Sequence, residues 1–242
     1  MLLSVEGLSA GYSGADVIRS LDLRIDEGEV VALLGPNGAG KTTTLLALAG
    51  VLAPTSGTVR YRGAPLRGAL HRRSRRGVSY ISEQGSIFSR LTTLANLKLG
   101  AGRVEDALAL FPELEPLLKR RAGLLSGGEQ RMLALGRSLA AKPDLLLVDE
   151  LSLGLAPLIV TRLLDALRAA ADTGTAVLIV EQHASQVLSV SDRGHVLRRG
   201  RLAMSGTGAE LLASSGELQA AYLSAGPAEE ATEETAGRPT EK

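Results

Sequence analysis

The 242 residues carry 27 lysines and arginines against 26 aspartates and glutamates, and 45% are hydrophobic, the usage of one large globular domain. No cysteine excludes disulfides and thiolate metal sites, aromatics at 2% leave too few stacking platforms for a single-strand nucleic-acid binder, and a net charge of +1 supplies no field for DNA or membrane. No apolar run approaches the ~18 residues of a membrane span, and Met1 to Glu6 lacks the basic and long apolar regions of a secretory signal, so a cytoplasmic protein is expected.

Leu3-Ser4-Val5 and Leu21-Asp22-Leu23-Arg24-Ile25 alternate, so residues 1–32 are expected to be β structure, with Gly28-Glu29 turning into the next strand. Tyr12 stands among small and polar residues in Ala10-Gly11-Tyr12-Ser13-Gly14, a loop composition. Those residues alone favour a half-buried turn tyrosine over one that stacks on a base.

Val30 to Leu34 is an apolar run of buried-strand type, and Thr43 to Ala49 opens a helix. Between them lies Gly35-Pro36-Asn37-Gly38-Ala39-Gly40-Lys41-Thr42-Thr43, a G-x-x-x-x-G-K-T phosphate-binding loop. Its glycines let backbone N–H groups turn inward around phosphate oxygens, and the helix N-terminus adds partial positive charge. Lys41 is expected to reach the β- and γ-phosphates and the Thr42 hydroxyl to coordinate Mg²⁺. A nucleoside triphosphate is implied.

Ala53 to Gly57 reads as a turn and Thr58 to Arg62 as a strand. Residues 60–76 then hold seven arginines: Arg60, Arg62, Arg67, Arg72, Arg73, Arg75 and Arg76. Without interleaved aromatics this cluster is expected to be a solvated face rather than a lipid or nucleic-acid patch. Val78 to Ile81 is a short strand feeding the polar break Ser82-Glu83-Gln84-Gly85. Residues 86–142 read as mostly helical, with Pro112 and Pro116 as punctuation. In Ser126-Gly127-Gly128-Glu129-Gln130, Ser126 suits a helix N-cap and Glu129 completes a capping box. A cap does not account for two glycines at a helix head, where they cost stability; close approach of a ligand to bare backbone does.

Leu145 to Val148 is a buried parallel strand by composition, ending in Asp149-Glu150. Strand C-termini of open α/β sheets face the ligand crevice. Asp149 is placed to serve a Mg²⁺ shell and Glu150 to polarise an attacking water. A helix over Leu158 to Ala171 precedes a second buried strand, Ala176 to Val180, which ends in Glu181-Gln182-His183. In isolation His183 reads as a surface histidine. Gly194 to Ala203 is expected to be a hairpin turning at Arg199-Gly200. Residues 226–242 form an acidic tail with almost nothing to bury, expected to be disordered. Its five glutamates against Arg238 and Lys242 leave the body at +4.

The phosphate loop, then Leu125-Ser126-Gly127-Gly128-Glu129-Gln130, then Asp149-Glu150 follow the order of ABC ATPases. The resemblance covers residues 2–224 and is much more specific than the phosphate loop alone. It is nearest to one branch, the LivF-type ATPases of branched-chain amino acid importers. The stretches carrying it are Ser89-Arg90-Leu91-Thr92, Leu110 to Leu114, Arg120 to Gly123, Met132 to Arg137, Ser152 to Pro157, Val180-Glu181-Gln182 and Asp192-Arg193-Gly194.

The resemblance implies a P-loop NTPase fold with a RecA-like core, an antiparallel β subdomain and a helical subdomain at about 86–142. It implies a head-to-tail dimer that sandwiches two ATP molecules. Tyr12 would then stack on adenine. Ser126, Gly127, Gly128 and Glu129 would cap the γ-phosphate held by the opposite subunit. Gln84 would sense Mg²⁺ and water, with Glu83 at the usual glutamine position, and His183 would touch the γ-phosphate, with Gln182 at the usual histidine position. Ala156 and Leu151 depart from the commoner aspartate and proline of their segments. The insert between Asn96 and Leu125 is short, which implies a trimmed docking face for a membrane subunit. The partners implied are membrane permease subunits, a second ATPase subunit and, indirectly, a periplasmic or lipid-anchored substrate-binding protein, with no nucleic acid. The implied location is the inner face of the cell membrane. An importer for urea or short amides is an alternative. A soluble ATPase acting on a non-membrane partner is a further one, disfavoured because such machines carry paired nucleotide domains or long coiled-coil inserts. A P-loop kinase leaves Ser126-Gly127-Gly128 and Glu150 without a role.

Overall fold

The computed structural model describes residues 1–83, 86–182, 184–214 and 216. Gln84, His183 and the acidic tail 226–242 lie outside the described residues.

The alternating first segment forms a hairpin, β1 (Leu3–Tyr12) and β2 (Ala15–Ile25). Tyr12 is the last residue of β1 and not part of a longer loop, because the turn is only Ser13-Gly14, both with positive φ. The apolar run is β3 (Val30–Leu34), and the phosphate loop leads into α1 (Lys41–Ala49). Then come β4 (Ser56–Tyr61), β5 (Ala64–Pro65), α2 (Leu70–Ser74) and β6 (Val78–Ile81). The strand expected from Thr58 starts at Ser56, where Ser9 of β1 pairs with it.

Between β6 and the next strand lie short helices: α3 (Thr93–Lys98), α4 (Val104–Leu110), 3₁₀ turns over Pro112–Leu117 and Ala122–Leu124, and α5 (Gly127–Ala140). The rest follows as β7 (Leu145–Asp149), α6 (Pro157–Asp172), β8 (Ala176–Glu181), α7 (Ala184–Leu188), β9 (Arg193–Arg198), β10 (Arg201–Thr207) and α8 (Gly208–Ala213). Among the described residues no helix is long and apolar enough to cross a membrane.

The strands build an antiparallel sheet ordered β2-β1-β4-β5 and a larger sheet ordered β10-β9-β3-β8-β7-β6. In the larger sheet β9, β3, β8, β7 and β6 run parallel, and β10 closes the edge antiparallel. Its central strands are buried on both faces, which is why they read as unbroken apolar runs. Alternation still sorts the faces. Ala32, Leu34, Val148 and Ile179 pack with α5 and α6 in one core. Val31, Leu33, Leu147 and Leu178 pack with α1 and the antiparallel sheet in another. The parallel strands therefore end together, and the loops after β3, β7 and β8 converge on one edge.

One arginine departs from the solvated face expected of residues 60–76. Arg73 is buried, and its guanidinium donates to Ala47 O (2.9 Å), Leu48 O (2.6 Å) and Gly68 O (2.9 Å). The final carbonyls of a helix have no intrahelical donors, so a cation there satisfies the C-terminus of α1 and opposes its dipole. Arg62 is also engaged, ion-paired to Asp144 at 2.9 Å.

His195 on β9 is buried beside Leu33, and its Nδ1 lies 2.7 Å from Ser205 Oγ, while Nε2 has no partner. Burial, with Arg193 nearby, pushes its pKa down to about 4. Between that value and the ordinary 6.5, the unfolded chain binds more protons than the folded one. The neutral ring's stabilisation, of order 3 kcal/mol, is complete above pH 6.5 and is lost as pH falls towards 4. Urea unfolding at pH 7 and pH 4.5 should show this loss in the native chain and a smaller one in His195→Leu; equal losses would remove the assignment.

Candidate active site

The site lies at the carboxyl edge of the parallel strands. A cavity of about 390 Å³ is lined by Val17, Asn37, Gly38, Gly40, Lys41, Thr42, Thr43, Glu83, Glu150, Leu153 and Gln182. Five segments meet there: β2 at Val17, the loop after β3 with the start of α1, the turn after β6 at Glu83, the segment after β7 and the end of β8. Gly40 is the residue before α1 and sits at φ 105°, where a Cβ would come within 2.7 Å of Ile18 Cγ2. Only glycine fits that turn against β2. The first-turn amides of α1 have no acceptor within the helix and stand beside the cavity, a polarity suited to anionic oxygens.

Lys41 is almost completely buried and donates to Gly35 O (2.9 Å) and Pro36 O (3.2 Å), with Glu150 Oε1 3.7 Å away. Burial lowers its pKa, opposed by the carboxylates of Glu150 and Asp149. The Thr42 hydroxyl donates to Asp149 Oδ1 at 3.2 Å, and the Tyr80 phenol approaches Asp149 Oδ2 at 3.5 Å. Burial pushes the Asp149 carboxyl up to about 6, with Glu150 and Glu83 adding to the rise and Thr42 and Lys41 opposing it. A divalent cation would remove that penalty, and a hydroxyl touching a carboxylate offers the hard oxygens Mg²⁺ prefers. Glu150 follows at φ 44°, a left-handed conformation uncommon outside glycine, and its carboxylate reaches the cavity.

Ser126 and Glu129 make the expected capping box: Ser126 Oγ accepts from Glu129 N (3.3 Å) and Glu129 Oε2 accepts from Ser126 N (2.7 Å). The two glycines differ. A Cβ on Gly128 would meet Ile159 Cγ2 at 3.0 Å, so α6 packing accounts for that glycine. A Cβ on Gly127 would touch only Leu155 Cδ2, at 3.4 Å, so packing alone does not require it. None of Ser126 to Glu129 lines the cavity around Lys41. Tyr12 is half-exposed at the tip of the hairpin whose Val17 lines the cavity, outside the lining itself.

The residues from 18 to 152 match the family model described as ABC transporter. The chain belongs to the ABC transporter ATP-binding family. It is 39% identical over 232 residues, 92% of this chain and 99% of the relative, to the high-affinity branched-chain amino acid transport ATP-binding protein BraG of Pseudomonas aeruginosa. It is 36% identical over 225 residues, 87% and 92% of the two chains, to the lipopolysaccharide export system ATP-binding protein LptB of Escherichia coli. Its fold matches a dimeric ATP-binding cassette in a post-hydrolysis state bound to ADP and Pi, with a TM-score of 0.75 at 23% identity, over 85% of this chain and 98% of that one. This family member is accordingly an α/β ATPase subunit of a transporter that binds ATP.

Sequence reasoning passed over Val17, Leu153 and Tyr80, which reach the site from a β2 edge, a turn and a strand interior where nothing in their spacing marks them. Glu181 was legible in principle, since an ionisable residue ends the all-apolar β8 as Asp149 ends β7.

Proposed function

We propose that the chain is the ATP-hydrolysing subunit of an importer for branched-chain or related amino acids. The observation carrying this reading is the near full-length similarity to BraG. Lys41 and the α1 amides bind the β- and γ-phosphates, and Thr42 with Asp149 holds Mg²⁺. Mg²⁺, when bound, neutralises phosphate charge and fixes its orientation. Glu150 accepts a proton from the attacking water, and its reach into the Lys41 cavity supports that role. Tyr12 stacks on adenine, while Gln84 and His183 report on Mg²⁺ and the γ-phosphate.

None of Ser126 to Glu129 lines the cavity around the chain's own Lys41, which supports their capping the nucleotide of a second subunit. ATP then favours the closed dimer, and hydrolysis releases it; that difference in affinity is what moves a partner. The helical segment 86–142 is the permease-docking part, supported by Phe88, Leu91, Leu99 and Leu124, apolar side chains exposed to solvent. The working location is the cytoplasmic membrane face, with an external binding protein delivering substrate.

The similarity to LptB supports a second reading, lipopolysaccharide export. Deleting the gene in its host should abolish uptake of labelled leucine, isoleucine and valine, restored by the native chain and not by Glu150→Gln. Intact uptake with lipopolysaccharide retained at the inner membrane would favour the second reading. Loss of urea or amide uptake instead would move the substrate class.

A further inference from the structure

Glu181 ends β8 opposite Leu34, the last residue before the phosphate loop, and its side chain is buried. Both carboxylate oxygens accept hydrogen bonds from one residue: Oε1 from Ser152 N at 2.8 Å and Oε2 from Ser152 Oγ at 2.7 Å. A buried carboxylate is costly unless it is well bonded, and this one spends its bonds on the turn two residues beyond Glu150. On the other side of that turn, Glu150 N donates to Val180 O at 2.9 Å. The last two residues of β8 thus hold Glu150 from before and after, with Leu151 sealed into the core between. Glu150 itself sits at φ 44°, a conformation that persists only where its surroundings over-determine it.

We infer that Glu181 is a positioning residue for ATP hydrolysis, acting through Ser152 to keep the Glu150 backbone in the left-handed turn that aims its carboxylate into the cavity. Glu181 does not line the cavity, and both of its carboxylate oxygens are taken by Ser152. The next residue, Gln182, does line it, so a shift at this end of β8 moves both the base and a neighbour of the γ-phosphate region. The inference rests on the reading of Glu150 as the general base.

The test measures ATPase kcat and the affinity for a fluorescent ATP analogue in the full chain, for Ser152→Ala, Ser152→Thr, Glu181→Ala and Glu150→Gln. Misplacing a catalytic group by about 1 Å costs about 100-fold in rate. Glu181→Ala should therefore lose about 100-fold in kcat, and Ser152→Ala, which keeps the backbone bond, about 10-fold. Analogue affinity should hold in both. Ser152→Thr retains the hydroxyl and should restore the rate. Were Glu181→Ala not to fold, the Ser152 pair decides alone. Unchanged kcat in Ser152→Ala, equal loss in Ser152→Thr, or affinity falling in step with kcat would each overturn the inference. Full turnover in Glu150→Gln would instead overturn the general-base reading; a dead Glu150→Gln beside an unslowed Ser152→Ala sinks only the positioning role.

Discussion

Glu150→Gln should lower kcat by about 10³-fold, the range of a lost general base, while ATP remains bound. The substitution is isosteric and keeps a hydrogen-bonding group in the cavity beside Lys41. It removes the negative charge 3.7 Å from the Lys41 ammonium, which leaves the lysine freer to bind phosphate, so affinity should not fall. Two neighbouring carboxylates are already engaged, Asp149 by Thr42 and Glu181 by Ser152, so neither is free to take the proton of the attacking water. Folding should be intact, because Glu150 is not packed in either apolar core. Steady-state phosphate release and equilibrium nucleotide binding check the two halves separately. Substantial residual turnover would remove Glu150 from the chemistry.

The second large effect is expected at Ser126. In a Glu150→Gln background, ATP should drive the chain into dimers visible by light scattering, and Ser126→Arg should abolish them. The capping box costs about 1 kcal/mol to lose, small against the stability of an ordinary domain, so the variant folds. What changes is the face: a long cation replaces a hydroxyl at an exposed helix start, beside a Gly127 that leaves space over the backbone. Ser126→Ala loses the same cap without adding bulk, and should retain more dimer than Ser126→Arg. Dimers that persist in Ser126→Arg would argue against a nucleotide sandwiched by this segment.

These two sites were legible to different depths. The phosphate loop is local: glycine at a left-handed position and a lysine one residue on imply a phosphate cradle whatever surrounds them. The same holds for the capping box, whose partners lie three residues apart and meet as expected. Asp149 and Glu150 were legible because a carboxylate pair ending an apolar run must face a crevice or water. The burial of Arg73 is not legible, because nothing local distinguishes it from its six neighbouring arginines, and only it fills the C-terminus of α1. The packing at Gly128 is not legible, because Ile159 meets it from α6, a helix distant in sequence.

The sequence by itself determined that the chain binds a nucleoside triphosphate, and which elements bear the phosphate loop, the carboxylates and the Ser-Gly-Gly cap. Those properties depend on spacing within one turn or one strand, where backbone geometry allows few alternatives. Only the tertiary structure decided which residues support that machinery. The strand order β9-β3-β8-β7 brings Leu34, Glu181 and Asp149 to one edge. There Ser152 meets Glu181 across 29 residues, and Thr42 meets Asp149 across 107. Such contacts arise from how buried parallel strands line up side by side, a choice made by the packing of both faces at once and recorded in no single segment.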